Sequence, residues 1–332
     1  MAVYWYQTSK EVEHMTFNSE FEKEVYEGLT ATEKHLSSKW FYDDVGSKIF
    51  QQIMQLSEYY PTRCEYQIFE QRDLISMLDI GADGMDIIEL GAGDGLKTKL
   101  LLKKLQKKGV DFAYRPIDIS GDALRNLQQS IETELPGVAV RPLEGEYFAV
   151  LDDIKSHASR PKVILFLGSN IGNLLHPRAI DFLSQLASTM GPSDKAMIGF
   201  DLKKDPNTIL AAYNDETKVT ASFNKNLLRR INKELDADFD LDKFTHYPVY
   251  NPETGTCFSY LVSTSAQRVH IKALDLRVMF YQWETIHTEI SQKYTHRVIN
   301  WLLSQSGLSA IDYVTDDQGW FAEYVVETAK HG

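Results

Sequence analysis

The stretch Asp86-Ile-Ile-Glu-Leu-Gly-Ala-Gly-Asp-Gly-Leu-Lys-Thr-Lys-Leu100 predicts a strand, a glycine-rich turn and a helix in direct succession. The apolar residues before the turn lack helical spacing, whereas the leucines after it recur at helical spacing. Gly91, Gly93 and Gly95 permit backbone conformations closed to other residues and let the backbone approach a ligand closely. Because ligands of Rossmann-like sheets lie beyond the carboxyl ends of the strands, we expect a nucleotide-like ligand at this turn.

The spacing of the glycines narrows the class of ligand. The dinucleotide fingerprint is G-x-G-x-x-G, but here the third glycine comes one residue early and Glu89 precedes the loop. This glycine spacing resembles the first motif of class I S-adenosylmethionine (SAM) methyltransferases, whose cofactor has no phosphate. The expected ribose partner is an acid about 20 residues further on, and Asp118 stands there after a short apolar strand. Asp118 could equally be a helix N-cap, so both interpretations stay open at this point.

The composition is typical of a globular protein and favours a small-molecule partner. Its 332 residues are long for one domain and sufficient for two, and 43% are hydrophobic. A net charge of -12 argues against nucleic acid or an anionic membrane as partner. Cys64 and Cys257 form no zinc or disulfide pattern, and neither a signal peptide nor an 18-residue apolar run is present. We therefore expect a cytoplasmic enzyme without a metal, and a monomer.

The order of predicted elements indicates a doubly wound α/β sheet. Helices are predicted over 18–39, 49–56 and 62–78. Alternating strands and helices follow: strands 86–91, 112–118, 137–142, 162–167 and 195–202, and helices 96–108, 120–134 and 175–190. Residues 205–235 read as helical and 244–289 as an antiparallel β layer. A helix over 291–305 and β segments near 308–315 and 319–328 return to the sheet.

Several strings, in order from about residue 40 to the C-terminus, match one family. They are Phe41-Tyr-Asp-Asp-Val-Gly-Ser47, Glu58-Tyr-Tyr-Pro-Thr-Arg63, Glu89-Leu-Gly-x-Gly93, Phe166-Leu-Gly-Ser-Asn-Ile-Gly-Asn173, Asp201-Leu-Lys-Lys-Asp205, Ala212-Tyr-Asn-Asp215, Phe223-Asn-x-Asn226, Glu234-Leu-x-Ala-Asp-Phe-Asp240 and Thr288-Glu-Ile-Ser-x-Lys-Tyr294. The chain resembles the histidine-specific SAM-dependent methyltransferases of ergothioneine biosynthesis. Relatives in ergot alkaloid pathways accept a prenylated tryptophan.

The resemblance implies a class I SAM methyltransferase (Rossmann-like) sheet with an inserted α+β substrate-binding domain. Its domains would be a substrate-binding lid of residues 1–63 plus 203–293 and a SAM-binding domain of 64–202 plus 294–332. The resemblance also implies a SAM site of Tyr42, Gly91, Lys97, Asp118, Glu146 and Tyr147. Glu146-Tyr147 departs from the family's usual Asp-Phe but keeps an acid and an aromatic ring.

For the substrate, the resemblance implies one group of residues around the α-amino and carboxylate groups and a second around the imidazole. The first group is Phe50, Tyr59, Gly168, Asn173 and Tyr213, and the second is Glu289 and Ser291. Two positions are atypical of the family, because Asn170 stands where a Thr is usual and Ser259 where a Met lines the pocket. This more polar wall bears on the specificity for histidine.

Several of these residues could instead have a purely structural role. Lys97 begins a lysine-rich helix that would ordinarily be a solvated face. We expect Tyr59 to be a ligand and its neighbour Tyr60 to lie in the core. Asn173 could make an Asx turn, and Glu289 could be a surface or capping carboxylate at a helix start formed by Thr288-x-x-Ser291.

The predicted function is methyl transfer from SAM to the α-amino group of L-histidine, giving trimethylhistidine (hercynine) and S-adenosylhomocysteine for ergothioneine biosynthesis. Such a displacement needs positioned and desolvated groups and no covalent nucleophile. Asn173 would orient the nitrogen, and Tyr42, loop carboxylates or water would take its proton. The alternatives are an N-methyltransferase for another amino acid, such as a tryptophan derivative or a modified imidazole, and a macromolecular methyltransferase or SAM-binding module.

Overall fold

The computed structural model describes residues 16–79, 84–157 and 160–329, which separate into two compact units. The first unit contains Met1–Ile53 (described from residue 16), Asn214–Pro248 and Phe258–Glu289. The second contains Met54–Tyr213, Val249–Cys257 and Ile290–Gly332. Residues 54–63, 203–213, 249–257 and 290–293, which the predicted lid includes, therefore pack with the second unit. Their assignment to substrate binding stays a prediction.

Thirteen strands are assigned in the described part of the chain. In chain order they are β1 (Met85–Leu90), β2 (Phe112–Asp118), β3 (Ala139–Val140), β4 (Leu143–Glu144), β5 (Lys162–Phe166), β6 (Lys195–Asp201), β7 (Phe244–Asn251), β8 (Thr256–Ser263), β9 (Gln267–Ile271), β10 (Leu276–Phe280), β11 (Thr285–Gln292), β12 (Leu308–Thr315) and β13 (Phe321–Thr328).

Eleven α-helices are assigned in the same described ranges. They are α1 (Glu20–Thr30), α2 (Asp44–Gln55), α3 (Tyr60–Gln71), α4 (Leu74–Met77), α5 (Thr98–Lys107), α6 (Gly121–Glu134), α7 (Tyr147–His157), α8 (His176–Thr189), α9 (Pro206–Tyr213), α10 (Val219–Glu234) and α11 (His296–Gln305). None of the helices in the described ranges combines the length and the apolar character needed to cross a bilayer.

The second unit is built on an eight-stranded sheet in the order β12-β13-β6-β5-β1-β2-β3, with β4 also paired to β2. The strands from β3 to β6 run parallel, and β13 lies antiparallel between β6 and β12. Every residue of β1 and β5 is buried, as expected for parallel strands covered on both faces. The predicted class I methyltransferase sheet is confirmed, including the return of the last two strands.

The parallel strands place the site at one edge of this sheet. The carboxyl ends of β1, β2, β5 and β6 meet there. The glycine turn follows β1 and the loop over 168–173 follows β5, whereas Asp118 and Asp201 are the last residues of β2 and β6. Because ligands of open α/β sheets bind beyond these ends, the topology brings the predicted cofactor residues to one place.

The helix predicted over 62–78 is interrupted at residues 72–73, between α3 and α4. Three other predicted elements also differ from the structure. The helix predicted over 18–39 ends at Thr30, because the chain turns back there and Gly28 packs so closely under the His35 carbonyl that an added Cβ would lie 2.0 Å from that oxygen. The strand predicted over 137–142 is shortened to β3, and Pro142, which has no backbone N–H to donate, separates it from the short β4 beyond the predicted range.

The third difference affects a site residue. The helix predicted over 291–305 begins only at His296, where the Thr295 side chain caps it by accepting from the Val298 N–H at 3.3 Å. Ser291 lies instead on β11, whose alternating burial is typical of a strand. A helix start at Thr288 is therefore wrong. The sequence interpretation also missed α7, which begins at the predicted cofactor residue Tyr147.

Candidate functional site

The glycine turn after β1 is pressed against a predicted cofactor residue. Gly91 has φ +71°, and its N–H donates to the Ile117 carbonyl at the end of β2 over 2.9 Å. A Cβ added to Gly91 would lie 2.6 Å from the Tyr147 hydroxyl, too close for a real contact. Gly93 also has positive φ, but no atom of the described residues lies within 4 Å of an added Cβ. The turn thus presents bare backbone beside Tyr147 and open space at Gly93.

Asp118 lies at the end of β2, beside the segment that carries Glu146 and Tyr147. The short strand β4 pairs with β2, and the Gly145 N–H donates to the Asp118 carbonyl over 3.1 Å. The N-cap of α6 is Ser120, whose side chain accepts from Ala123 N–H, so Asp118 does not have that role. Its carboxylate accepts from the Ser120 N–H at 2.9 Å, and burial raises its pKa. Asp118 therefore remains suited to accept from a ligand hydroxyl.

Tyr147 shares this environment. Burial, followed by the charges of Asp118 and Glu146, raises the pKa of its hydroxyl to about 12. The phenol is therefore neutral at physiological pH, and its ring is half-buried next to the glycine turn. Glu146, its neighbour, is exposed. The structure thus brings Gly91, Asp118 and Tyr147 together, as the resemblance implied.

Lys97 is not part of a solvated face. Its ammonium forms an ion pair with Glu65 of α3, a carboxylate with an exposed fraction of 1%. Burial opposes the charge of Lys97, but Glu65 raises its pKa above the ordinary value, so the lysine stays charged. The second carboxylate oxygen of Glu65 accepts from the Gly168 N–H at 2.6 Å. Glu65 therefore links a predicted cofactor residue to a predicted substrate residue.

A second buried acid, Glu323 of β13, lies beside Glu65. Both carboxylates cover Gly199, where an added Cβ would lie 3.0 Å from Glu65 and 3.1 Å from Glu323. Burial and the adjacent Glu65 raise the pKa of Glu323 well above its ordinary value, which favours its neutral form.

These groups fit SAM. The cofactor has a ribose diol, for which Asp118 would be an acceptor, and an amino-acid carboxylate, which the Lys97 ammonium would bind. The ligand must also be approached closely by the backbone. The glycine turn allows this because Gly91 has no Cβ, and an added Cβ would meet Tyr147.

The loop after β5 lies between this cofactor cluster and a second buried network. At its start, a Cβ added to Gly168 would lie 3.7 Å from the Lys97 ammonium and 3.8 Å from the Asn170 side chain. Further on, the Ser169 hydroxyl accepts from the Asp201 N–H at 2.9 Å, and the Tyr294 hydroxyl donates to the Ile171 carbonyl at 3.1 Å.

Asn173 ends this loop as the last residue of a 3-10 turn over Asn170–Asn173, and it is exposed. It is therefore accessible to a ligand at the same edge of the sheet.

The second network centres on Asp201 at the end of β6. Its buried carboxylate accepts from the Tyr60 hydroxyl at 2.8 Å and pairs with Lys204 at 2.5 Å and Lys293 at 2.7 Å. Burial alone would raise the pKa of Asp201, but the two ammoniums hold it below the ordinary value. Tyr60 lies in the core, as predicted.

Two predicted substrate residues belong to this network. The Lys293 ammonium donates to the hydroxyls of Tyr213 and Ser291, each at 2.8 Å, and the two hydroxyls lie 2.7 Å apart. The resemblance implied separate parts of the substrate for Tyr213 and Ser291, whereas the structure joins them in one hydrogen-bonded pair.

Tyr59 is positioned by an arginine that the sequence interpretation did not use. The Arg63 guanidinium donates to the carbonyls of Leu56 at 2.8 Å, Ser57 at 2.6 Å and Tyr59 at 3.2 Å. These bonds fix the loop before α3, from which the half-buried Tyr59 projects. The string Glu58-Tyr-Tyr-Pro-Thr-Arg63 thus contains the arginine that holds the Tyr59 loop in place.

In the first unit, Tyr42 and Phe50 meet around a third aromatic ring. Their ring centroids lie 5.4 Å apart, and the ring centroid of Phe223 lies 5.6 Å from that of Tyr42 and 5.7 Å from that of Phe50. Tyr42 is about half exposed, at 49%. The adjacent turn depends on Gly46, because a Cβ there would overlap the Phe41 carbonyl oxygen at 1.7 Å. Aromatic faces of this kind can bind a quaternary ammonium group.

Ser259 and Glu289 also meet in the first unit. They lie on the neighbouring strands β8 and β11, and the Ser259 hydroxyl donates to the Glu289 carboxylate at 3.1 Å. Glu289 is half-buried on a strand, so it is neither a helix cap nor a fully exposed surface charge. His287 contacts the Glu289 carbonyl at 3.0 Å, and burial lowers the pKa of its ring, in agreement with a structural role.

The sequence interpretation missed the buried charges that organise the site: Glu65, Asp201, Lys204, Lys293 and Glu323. A signal was available, because Asp201 and Lys293 lie within matched strings and Glu323 interrupts the apolar run of β13. A charge inside a buried strand must be paired or neutralised.

The sheet order, the glycine turn and the acid after β2 define a class I SAM-dependent methyltransferase. Residues 21–328 match the family described as histidine-specific methyltransferase, SAM-dependent, and the chain belongs to that family.

Several relatives are similar over most of the chain. It is 40% identical over 299 residues to a histidine N-alpha-methyltransferase of Mycolicibacterium smegmatis, covering 90% of this chain and 92% of the relative. A histidine N-alpha-methyltransferase of Mycobacterium tuberculosis is 39% identical with the same coverage. Ergothioneine biosynthesis protein 1 of Schizosaccharomyces pombe is 30% identical over 76% of this chain and 33% of the relative.

Proposed function

We propose that this protein transfers methyl groups from SAM to the α-amino nitrogen of L-histidine, giving trimethylhistidine (hercynine) and S-adenosylhomocysteine. The observation that carries the proposal is the convergence on the loop over 168–173. The Lys97–Glu65 pair meets one end of this loop, and the Asp201 network meets its middle. A cofactor site at Lys97 and a substrate site at the Asp201 network would therefore share one segment at the carboxyl edge of the sheet.

The bound cofactor supplies an electrophilic methyl group on a positively charged sulfur. Asp118 would accept from the ribose hydroxyls, Lys97 would bind the amino-acid carboxylate, and Gly91 would let the backbone approach. Glu146 would accept from the adenine amino group, and Tyr147 would flank the ring. Lys97 is prepared for its role because Glu65 keeps it charged and oriented.

On the substrate side, the residues position the amine and hold its charges. Asn173 would orient the α-nitrogen, and Tyr42 would receive its proton directly or through water. As methyl groups accumulate the nitrogen becomes a permanent cation, which the faces of Tyr42, Phe50 and Tyr59 would stabilise. Glu289 would accept from an imidazole N–H, and its contact with Ser259 fixes the carboxylate. Asn170, Gly168, Tyr213 and Ser291 complete the proposed substrate site.

We further propose that the protein acts as a cytoplasmic monomer in ergothioneine biosynthesis. Residues 1–63 and 203–293 would contribute most of the substrate contacts, and residues 64–202 and 294–332 most of the cofactor contacts.

A direct test is to incubate the protein with SAM and each of the twenty standard amino acids, followed by mass spectrometry. Histidine should gain one, two and then three methyl groups, and the other amino acids none. The absence of any gain on histidine would contradict the proposal. A gain on tryptophan instead would show that Ser259 and Asn170 redirect the specificity.

A further inference from the structure

Glu323 is a fully buried acid to which the proposed function gives no role. It lies within β13, paired in register with Gly199 of β6, and its exposed fraction is 0%. Among the described residues, neither of its carboxyl oxygens has a partner that donates a hydrogen bond to it. An ionised carboxylate in this position would have nothing to replace the water that it loses on burial, which is too costly. The surroundings of Glu323 therefore favour a protonated side chain.

The group that faces Glu323 is a second acid. Gly199 leaves room for both, because an added Cβ there would lie 3.0 Å from Oε1 of Glu65 and 3.1 Å from Oε1 of Glu323. Glu65 is already an acceptor on both oxygens, from the Gly168 N–H at 2.6 Å and from the Lys97 ammonium. A protonated Glu323 can add a donor, since its carboxyl group is within hydrogen-bonding reach of Glu65. The two acids would then share one proton, with Glu65 as the ionised member.

This proton decides the net charge beside Lys97. When Glu323 is protonated, the charges of Glu65 and Lys97 neutralise each other. If both acids were ionised, a net negative charge would lie beside Lys97 and repel a carboxylate ligand. Burial and the charge of Glu65 raise the pKa of Glu323 well above its ordinary value, whereas Lys97 lowers it. A further acid, Glu89 of β1, acts electrostatically on both Glu65 and Lys97, and burial raises its own pKa to about 7.

We propose that Glu323 is a positioning residue that donates its proton to Glu65 and so holds the Glu65 carboxylate against Lys97 and the Gly168 N–H. Lys97 is thereby kept in place for the amino-acid carboxylate of the cofactor. This inference rests on the proposed function, in which Lys97 binds that carboxylate. Glu323 acts through Glu65 and does not itself touch the cofactor.

The first test locates the proton. Infrared spectra of the wild type and of Glu323→Gln are recorded on the full chain at neutral pH and subtracted. The difference should contain the carbonyl stretch of a protonated carboxylic acid, because the wild type has one such group more than the variant. Loss of a carboxylate band instead would show that Glu323 is ionised and would overturn the proposal.

The matched control for the infrared test is Asp194→Asn. Asp194 is buried as well, but it pairs with Lys162 at 2.6 Å and accepts from the Gly191 N–H at 2.6 Å. A carboxylate with these partners is ionised. Its difference spectrum should therefore contain a carboxylate band and no carboxylic-acid band.

The second test measures what the proton does for cofactor binding. S-Adenosylhomocysteine and 5′-methylthioadenosine share the adenosine part, but only the first has the amino-acid carboxylate. Glu323→Met fills the space without a donor, so in calorimetry the dissociation constant of S-adenosylhomocysteine should rise about tenfold, as for loss of a hydrogen bond to a charged group. That of 5′-methylthioadenosine should change less than about twofold. Glu323→Gln, whose amide can still donate to Glu65, should stay within about twofold of the wild type for both ligands.

Three binding results would each overturn the proposal: equal weakening of both ligands in Glu323→Met, unchanged affinity for both ligands in that variant, or a Glu323→Gln variant that binds no better than Glu323→Met. If Glu323→Met is not obtained folded, the infrared comparison with the nearly isosteric Glu323→Gln still decides whether Glu323 holds the proton. A failure of the proposed function is distinguishable, because the wild type would then add no methyl group to histidine, whereas the carboxylic-acid band would persist.

Discussion

Replacing Gly91 by alanine should weaken SAM binding through one identifiable contact. An alanine at φ +71° carries a backbone penalty of about 1–2 kcal/mol. Its Cβ would also lie 2.6 Å from the Tyr147 hydroxyl, so the ring must move by several tenths of an ångström. Forcing such a side chain from its rotamer costs about 0.5–1.5 kcal/mol. The displaced ring is expected to raise the dissociation constant of S-adenosylhomocysteine about tenfold.

Gly93→Ala is the matched control. Gly93 has φ +54° and no atom within 4 Å of an added Cβ, so this variant carries the backbone penalty without the contact to Tyr147. In urea unfolding Gly91→Ala should lose about 0.5–1.5 kcal/mol more stability than Gly93→Ala, the cost of displacing Tyr147, and in calorimetry only Gly91→Ala should lose most of its cofactor affinity.

A second substitution tests the cause. Removal of the hydroxyl in Gly91→Ala/Tyr147→Phe leaves the ring carbon Cζ as the nearest atom, at 3.6 Å, which is an ordinary contact. The double variant should therefore recover most of the affinity. If it binds no better than Gly91→Ala alone, the reasoning from this contact is refuted.

Four further predictions concern single residues. Lys97→Met should weaken S-adenosylhomocysteine about tenfold and leave 5′-methylthioadenosine, which lacks the amino-acid part, unchanged in calorimetry; equal loss of both would contradict its role. Asp118→Asn should weaken both ligands, and because burial raises the Asp118 pKa, wild-type affinity should start to fall at a higher pH on acidification than for an ordinary Asp. Glu289→Gln should raise the KM for histidine about tenfold without changing cofactor affinity, and parallel losses would mark Glu289 as structural. Burial raises the pKa of Glu89 from 4.5 to about 7, so the free energy of unfolding should fall as pH rises through about 7. In urea unfolding the wild type should lose roughly 3 kcal/mol in this way, and Glu89→Gln, which cannot ionise, should not.

The local chemistry of the sequence was sufficient for the sheet and the cofactor turn. Ile87 and Ile88 without helical spacing, the glycines that follow and the leucines of α5 each favour one local structure, and all agree with the fold. The position of Asp118 was equally readable, because an acid after a short apolar strand must lie at the carboxyl edge of a parallel sheet.

Local patterns failed where neighbouring segments compete. Residues 291–295 contain no breaker before Thr295, so a helix from 291 was a reasonable prediction, but pairing with β8 continues β11 to Gln292. In the same way, α7 follows a loop without a strong start signal, and its packing against α8 decides that it is helical. Pairing with a distant strand or packing against a distant helix outweighs weak local propensities.

The sequence by itself determined the class of sheet, the position of the glycine turn and the family to which the chain belongs. Only the tertiary structure decided which charges meet: Glu65 with Lys97, Glu323 beside Glu65, and Lys293 with Asp201. The members of each pair lie far apart in the chain, so no local pattern relates them. Lys97 and Lys293 meet their acids because an isolated charge in a packed interior is too costly, whereas burial and the adjacent Glu65 raise the pKa of Glu323.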